Sequence, residues 1–196
     1  PLCTQVLPCG KPTYVDKTFA PDLATAEAIF DLADEHGVAM QTTSALRYTQ
    51  VQAYVRDVGA AGVRHIVAWG GGSSFVEYAI HPVELVVSCL GPAVSRLQRW
   101  GGEPRSRLLL EWDHGATGII HVHTDGGVPS AAAVTTTAET RYIEVDSATI
   151  FRDTARAFVE LFASGRPNVP RAESLAVRRI LDGAGKPEAR DGFIEF

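Results

Sequence analysis

Between residues 13 and 43 the chain reads strand, helix, strand, and that order constrains the fold more than any other feature of the sequence. The run Thr13-Tyr14-Val15-Asp16-Lys17 opens with the β-branched and aromatic content of a short strand. "PDLATAEAIFDLADEHG" follows, with Leu23, Ala26, Ile29, Phe30, Leu32 and Ala33 at helical spacing. Asp22 is placed to cap its start and Gly37 to take the left-handed position past its end. "VAMQTTS" then supplies a second strand. Two strands joined through one helix pair in parallel, with a right-handed crossover. Ligands of open parallel sheets bind outside the carboxyl ends of the strands. Asp16 and Lys17 lie at one such end and "SALRY" (44–48) at the other, so both loops are candidate site walls.

The pattern changes after about residue 55. "GVRHIVAWG" (62–70) reads as a strand and "PVELVVSCLG" (82–91) as a helix closed by Gly91. Five β-like runs come next, "AVSRLQRW", "SRLLLEW", "TGIIHVHT", "AAVTTTA" and "RYIEV", with "DHG" and "DGG" between them as turn chemistry. Strands joined by short turns imply an antiparallel sheet. "ATIFRDTARAFVELFASG" returns to helix, its apolar face assigned to Phe151, Ala155, Phe158 and Leu161 or Phe162, and a last helix follows "GRPNVP" near 171–182. The expected architecture is an α/β piece over 1–48. An α+β domain over 49–196 follows, its mostly antiparallel open sheet covered by helices on one face.

The bulk numbers narrow the partners. With 18 Lys and Arg against 23 Asp and Glu, the net charge is −5, which argues against a nucleic-acid partner. The longest apolar runs, such as that around Val83–Leu90, are too short to span a bilayer. Cys3, Cys9 and Cys89 have no CxxC spacing and are odd in number, so we expect a reducing, cytoplasmic setting and plain thiols. No signal peptide is evident at the start. The opening "PLCTQVLPCGKP", without Met, reads as the middle of something longer, so a targeting segment is not excluded.

Four groups of residues have the chemistry of a site, each with a plainer alternative. Glu77 and His81 lie four apart, so on one helix they share a face and a carboxylate can orient an imidazole acid or base. Pro82, however, favours a helix start near His81, leaving Glu77 in a preceding turn. Lys17 is either a strand-end site residue or a solvated partner of Asp16. His121 and His123 alternate on a strand and, with His114 or Asp125, outline a metal site; a polar sheet face explains them equally, and we expect no metal. "WGGGSSF" (69–75) is Gly-rich but fits no phosphate-binding pattern, so a flexible loop is expected there.

Taken in order, "GKPTYVDKTFA", "LADEHGVAMQTTSALRY", "EYAIHPVELVVSCLG" and "FVELFASGRPNVPRAESL" resemble the Gfo/Idh/MocA family of glucose–fructose oxidoreductase and inositol dehydrogenase-like enzymes. The resemblance implies hydride transfer between NAD or NADP and a sugar, cyclitol or related polyol. It makes residues 1–48 the remnant of a Rossmann domain, and residues 49–196 a substrate-binding and oligomerisation domain whose sheet joins copies into a homo-oligomer. Asp16-Lys17 match the family's Glu-Lys-Pro motif, which puts Lys17 beside nicotinamide and the reacting hydroxyl. Glu77 and His81 match its Asp-x-x-x-His pair: His81 takes the hydroxyl proton, and Glu77 orients it or binds another hydroxyl. Arg47 falls among the cofactor contacts, with Asp16 and Lys17, and Tyr48 among the substrate contacts.

The departures are as informative. Asp16 and Glu77 exchange carboxylate lengths with the motif. Thr18 stands in place of Pro, without its fixed φ or its ready cis peptide. The Gly-rich dinucleotide fingerprint is absent from these residues. These departures support an alternative, a non-catalytic sugar-binding or oligomerisation module derived from the same family.

Overall fold

A Tyr14 hydroxyl that donates to the Thr43 carbonyl, 2.7 Å away, ties together the ends of the two strands from which the sequence argument began. The computed structural model describes residues 2–196. After a short helix α1 (Leu2–Val6), β1 (Thr13–Val15), α2 (Leu23–Glu35) and β2 (Met40–Thr42) form the expected unit, with the strands parallel and Tyr14 opposite Gln41. The Asp22 carboxylate accepts from Thr25 N at 2.7 Å, and Gly37 has φ 60°, so both predicted caps are present. Leu7, Phe30, Ala33, Val38 and Met40 bury themselves together beneath this pair.

A 3-10 turn (Ala45–Arg47) leads to α3 (Gln50–Val58), which the sequence reading did not anticipate. It starts on a reciprocal cap in which Val51 N donates to Thr49 Oγ1 and Thr49 N to Gln52 Oε1. Next come β3 (Val63–Gly71), the one-turn α4 (Phe75–Tyr78) and α5 (Ile80–Leu90). Five strands follow: β4 (Val94–Trp100), β5 (Arg105–Trp112), β6 (Thr117–His123), β7 (Ala131–Thr136) and β8 (Thr140–Glu144). Helices α6 (Ser147–Ser164), α7 (Arg171–Gly185) and α8 (Glu188–Asp191) and a terminal β9 (Ile194–Glu195) complete the chain. The sheet runs β8-β7-β3-β6-β5-β4-β9, antiparallel at every step except β3 with β6. It is therefore mixed.

Helices α5 and α7 cover one face of that sheet, burying Val83, Leu85, Val86, Val177 and Ile180 against Ile66, Leu97, Leu108 and Ile120. The other face carries Trp69, His121 and His123, with Trp69 and His121 stacked at 5.9 Å between ring centres. Two expectations change. Gly70 and Gly71 belong to β3 rather than to a flexible loop. On α6 the buried residues are Ile150, Thr154, Ala157 and Leu161, while Phe151 and Phe162 face outward and Phe158 packs on Tyr14 at 3.9 Å. No helix of the described residues is long and apolar enough to cross a membrane, and no three of their His, Cys, Asp or Glu side chains form a metal-binding group.

Candidate active site

The carboxyl end of β1 delivers Lys17, and α5 delivers His81, to the neighbourhood of one aromatic ring. Lys17 Nζ lies 5.2 Å from the centre of the Tyr78 ring, an ammonium–aromatic contact. The Tyr78 and His81 rings are 5.8 Å apart at an angle of 57°. The peptide between Lys17 and Thr18 is cis, although Thr18 has replaced the proline of the resembling motif. Burial holds His81 below the ordinary imidazole value of 6.5; the Lys17 ammonium adds to that and Asp16 opposes it. Both the burial and the ammonium favour the neutral imidazole over the charged one.

Glu77 is not the group that orients His81. It sits in α4, one helix before His81, exposed, with Oε2 accepting from Ser73 Oγ at 3.1 Å. The helix break before Pro82 separates the two residues, as proline's preference for a first turn predicts. The side chain hydrogen-bonded to the ring is Ser44, whose Oγ is 2.7 Å from His81 Nδ1. Ser44 also caps the 3-10 turn by accepting from Leu46 N at 3.2 Å, and it is 1% exposed.

Arg47 and Tyr48 stand apart from this constellation. Arg47 Nε and Nη1 each lie 2.6 Å from a carboxylate, Glu84 on α5 and Glu173 on α7, which makes an internal ion triad, while its buried Nη2 meets no partner among the described residues. Thr43 Oγ1 donates to the same Glu84 oxygen at 2.9 Å. Tyr48 donates to Asn168 Oδ1 at 3.1 Å, and burial pushes its phenol up to about 12. Both residues line a cavity of about 500 Å³ between α3 and α6 whose lining includes neither Lys17 nor His81. Asp16 stays exposed beside Lys17, within 3.5 Å of the Tyr14 hydroxyl.

The Gly-rich run serves packing. A Cβ on Gly71 would strike the His123 carbonyl, one on Gly72 the Tyr78 ring, and one on Gly70 would press on Pro82 at 3.0 Å. Space that an anion would need is filled by the protein itself. Gly72→Ala is therefore expected to displace Tyr78 from its contacts with Lys17 and His81 and to cost about 1–3 kcal/mol of stability. In a Tyr78→Ala background the same change should cost much less, because the colliding ring is gone. Urea unfolding of the four proteins measures the difference; equal costs in both backgrounds would refute the contact.

Neither a family model nor a curated protein sequence matches the chain. Solved structures do. GenD2 from gentamicin A biosynthesis, crystallised with NAD, superposes with a TM-score of 0.84 at 18% identity, covering 100% of this chain and 74% of that one. The scyllo-inositol dehydrogenase of Lactobacillus casei gives 0.82 at 12% identity over 98% and 74%. The aldose-aldose oxidoreductase of Caulobacter crescentus, complexed with glycerol, gives 0.78 at 14% over 100% and 75%. The likeness is one of fold. It spans both the parallel pair and the mixed sheet, so the whole chain shares the architecture of these oxidoreductases.

Proposed function

We propose that this chain is the substrate-side part of an NAD(P)-dependent oxidoreductase of the Gfo/Idh/MocA type. The substrate class is a sugar, cyclitol or related polyol. The observation that carries the reading is the meeting of Lys17 and His81 about Tyr78 at the carboxyl end of a parallel strand. An ammonium and a neutral imidazole are what a C–OH/C=O interconversion needs at the reacting oxygen. Lys17 lowers the cost of negative charge developing there, and His81 exchanges the proton. Bound nicotinamide would supply the hydride acceptor or donor.

The residues present fit the nicotinamide end of such a cofactor. They offer nothing for the pyrophosphate, since Gly70–Gly72 are filled by Pro82, His123 and Tyr78. On this reading residues 1–48 close a dinucleotide-binding domain whose fingerprint lies outside this sequence, and residues 49–196 form the substrate and assembly domain. Self-association is assigned to the open sheet face around Trp69 and His121. The test is a panel of polyols with NAD+ and NADP+, followed by nicotinamide absorbance, using the chain together with its dinucleotide-binding unit. Polyol-dependent reduction of one cofactor is expected, and silence across the panel would overturn the reading.

A second reading, a sugar-binding or assembly module without catalysis, draws on Glu77, whose carboxylate accepts from Ser73. It predicts polyol binding by calorimetry with no turnover in the same panel.

A further inference from the structure

We propose that Ser44 is the positioning residue of His81 and holds its neutral ring as the Nε2–H tautomer. A hydroxyl has one proton to give and two lone pairs to receive with. One lone pair of Ser44 Oγ accepts from Leu46 N, and the contact to His81 Nδ1 at 2.7 Å is its other side-chain hydrogen bond. Ser44 is 1% exposed, and among the described residues its hydroxyl meets no second acceptor. If Nδ1 carried the ring proton, the Ser44 proton would be buried without a partner. If Nδ1 is bare, Ser44 donates to it and every group is satisfied. The penalty for an unmet buried donor favours the second arrangement by roughly tenfold or more.

The surroundings keep the question one of tautomer rather than of charge. The charged groups acting on the ring are the Lys17 ammonium and the Asp16 carboxylate, and burial together with Lys17 outweighs Asp16. Among the described residues nothing is hydrogen-bonded to Nε2, which leaves it as the nitrogen available to a ligand. The consequence for catalysis rests on the oxidoreductase reading, whereas the tautomer does not. At rest the ring offers an N–H to a substrate oxygen. To take a hydroxyl proton at Nε2 the ring must first release its Nε2 proton to solvent and gain one from solvent on Nδ1, and Ser44 accommodates the change by turning from donor to acceptor. A carboxylate in the same place could only accept, so Ser44 makes the ring switchable where a carboxylate would fix it.

Long-range proton–nitrogen NMR of the full chain, labelled on histidine nitrogen, reads the tautomer directly, with His81→Gln assigning the signals. At about pH 8, where the ring is neutral, His81 is expected to show a protonated Nε2 and a bare Nδ1. Ser44→Thr should keep that pattern, and Ser44→Ala should release it toward a mixture. Ser44→Asp should move the proton to Nδ1 and raise the titration midpoint of His81 by about one unit or more. A protonated Nδ1 in the unmodified chain, or the same tautomer in Ser44→Ala as in the unmodified chain, overturns the proposal. The Thr and Ala variants decide the matter even if Ser44→Asp does not fold. Loss of the oxidoreductase reading in the polyol panel would leave the tautomer result intact, so the two fail separately.

Discussion

Lys17→Met is expected to lower kcat by roughly 10²–10³ while leaving dinucleotide affinity within a few-fold, because a preorganised charge at a developing oxyanion acts mainly in the transition state. The structure adds a second signature. Burial and then Lys17 depress the His81 value, so removing the ammonium should let His81 rise toward 6.5. The acid limb of kcat/KM, which reports the free enzyme's base, should then move to higher pH in Lys17→Met. Lys17→Arg keeps the charge over Tyr78 and should leave that limb nearly in place, although its turnover will suffer from altered geometry. Steady-state kinetics across pH with the same polyol checks both expectations. Wild-type turnover in Lys17→Met would end the catalytic assignment.

What could be read in advance follows the range of the interactions. The β1–α2–β2 unit was readable because its signals are local: an N-cap at Asp22, a left-handed Gly37, and apolar residues at one period. The later strands were also found, since alternation in "TGIIHVH" or "SRLLLEW" is a property of a few neighbours. Their order was not, because the pairing of β3 with both β6 and β7 depends on contacts between distant segments. On α6 the period was right and the face only partly so: Leu161 is buried as expected, but Phe151 and Ala155 are exposed. Apolar residues occur all around that helix, and the small Thr154 and Ala157 fit the contact surface where Phe151 and Phe162 do not.

The same distinction governs the site. Lys17 and His81 stood out because their residue types are few and their positions meaningful. Ser44 did not, although its place before a turn marks it as a cap. Its second role, meeting His81 Nδ1, spans 37 residues and follows from the docking of α5 on the parallel pair. Glu77 shows the reverse case. Helical spacing suggested a shared face with His81, but the helix is interrupted at Ala79 and Glu77 is bonded to Ser73 instead. Arg47 was placed among the cofactor contacts by the family resemblance alone; its acidic partners lie on α5 and α7, out of reach of any local pattern.

Arg47→Met should be the most destabilising single substitution around the site, at about 3–5 kcal/mol, because it strands a carboxylate that folding has already taken out of water. The Glu84 side chain is 3% exposed, and with Arg47 gone only Thr43 Oγ1 still bonds to it. Burial already raises Glu84 above its ordinary 4.5, and Arg47 is the largest influence opposing that rise. Removing Arg47 must therefore lift it further. A carboxyl whose folded value is raised adds stability below its unfolded value and loses it as pH climbs through the folded one. The deficit of Arg47→Met should accordingly be small near pH 4.5 and grow toward neutrality, the opposite of what a purely steric defect would give. Adding Glu84→Leu removes the stranded charge and should recover much of the loss while flattening the pH dependence. Urea midpoints of the three proteins from mildly acidic to neutral pH provide the measurement. A deficit independent of pH, or a double variant no better than Arg47→Met, would show that the triad is not an electrostatic unit. The triad joins the loop that carries Ser44 to the helix that carries His81, so its loss should also blur the His81 tautomer pattern before the chain unfolds.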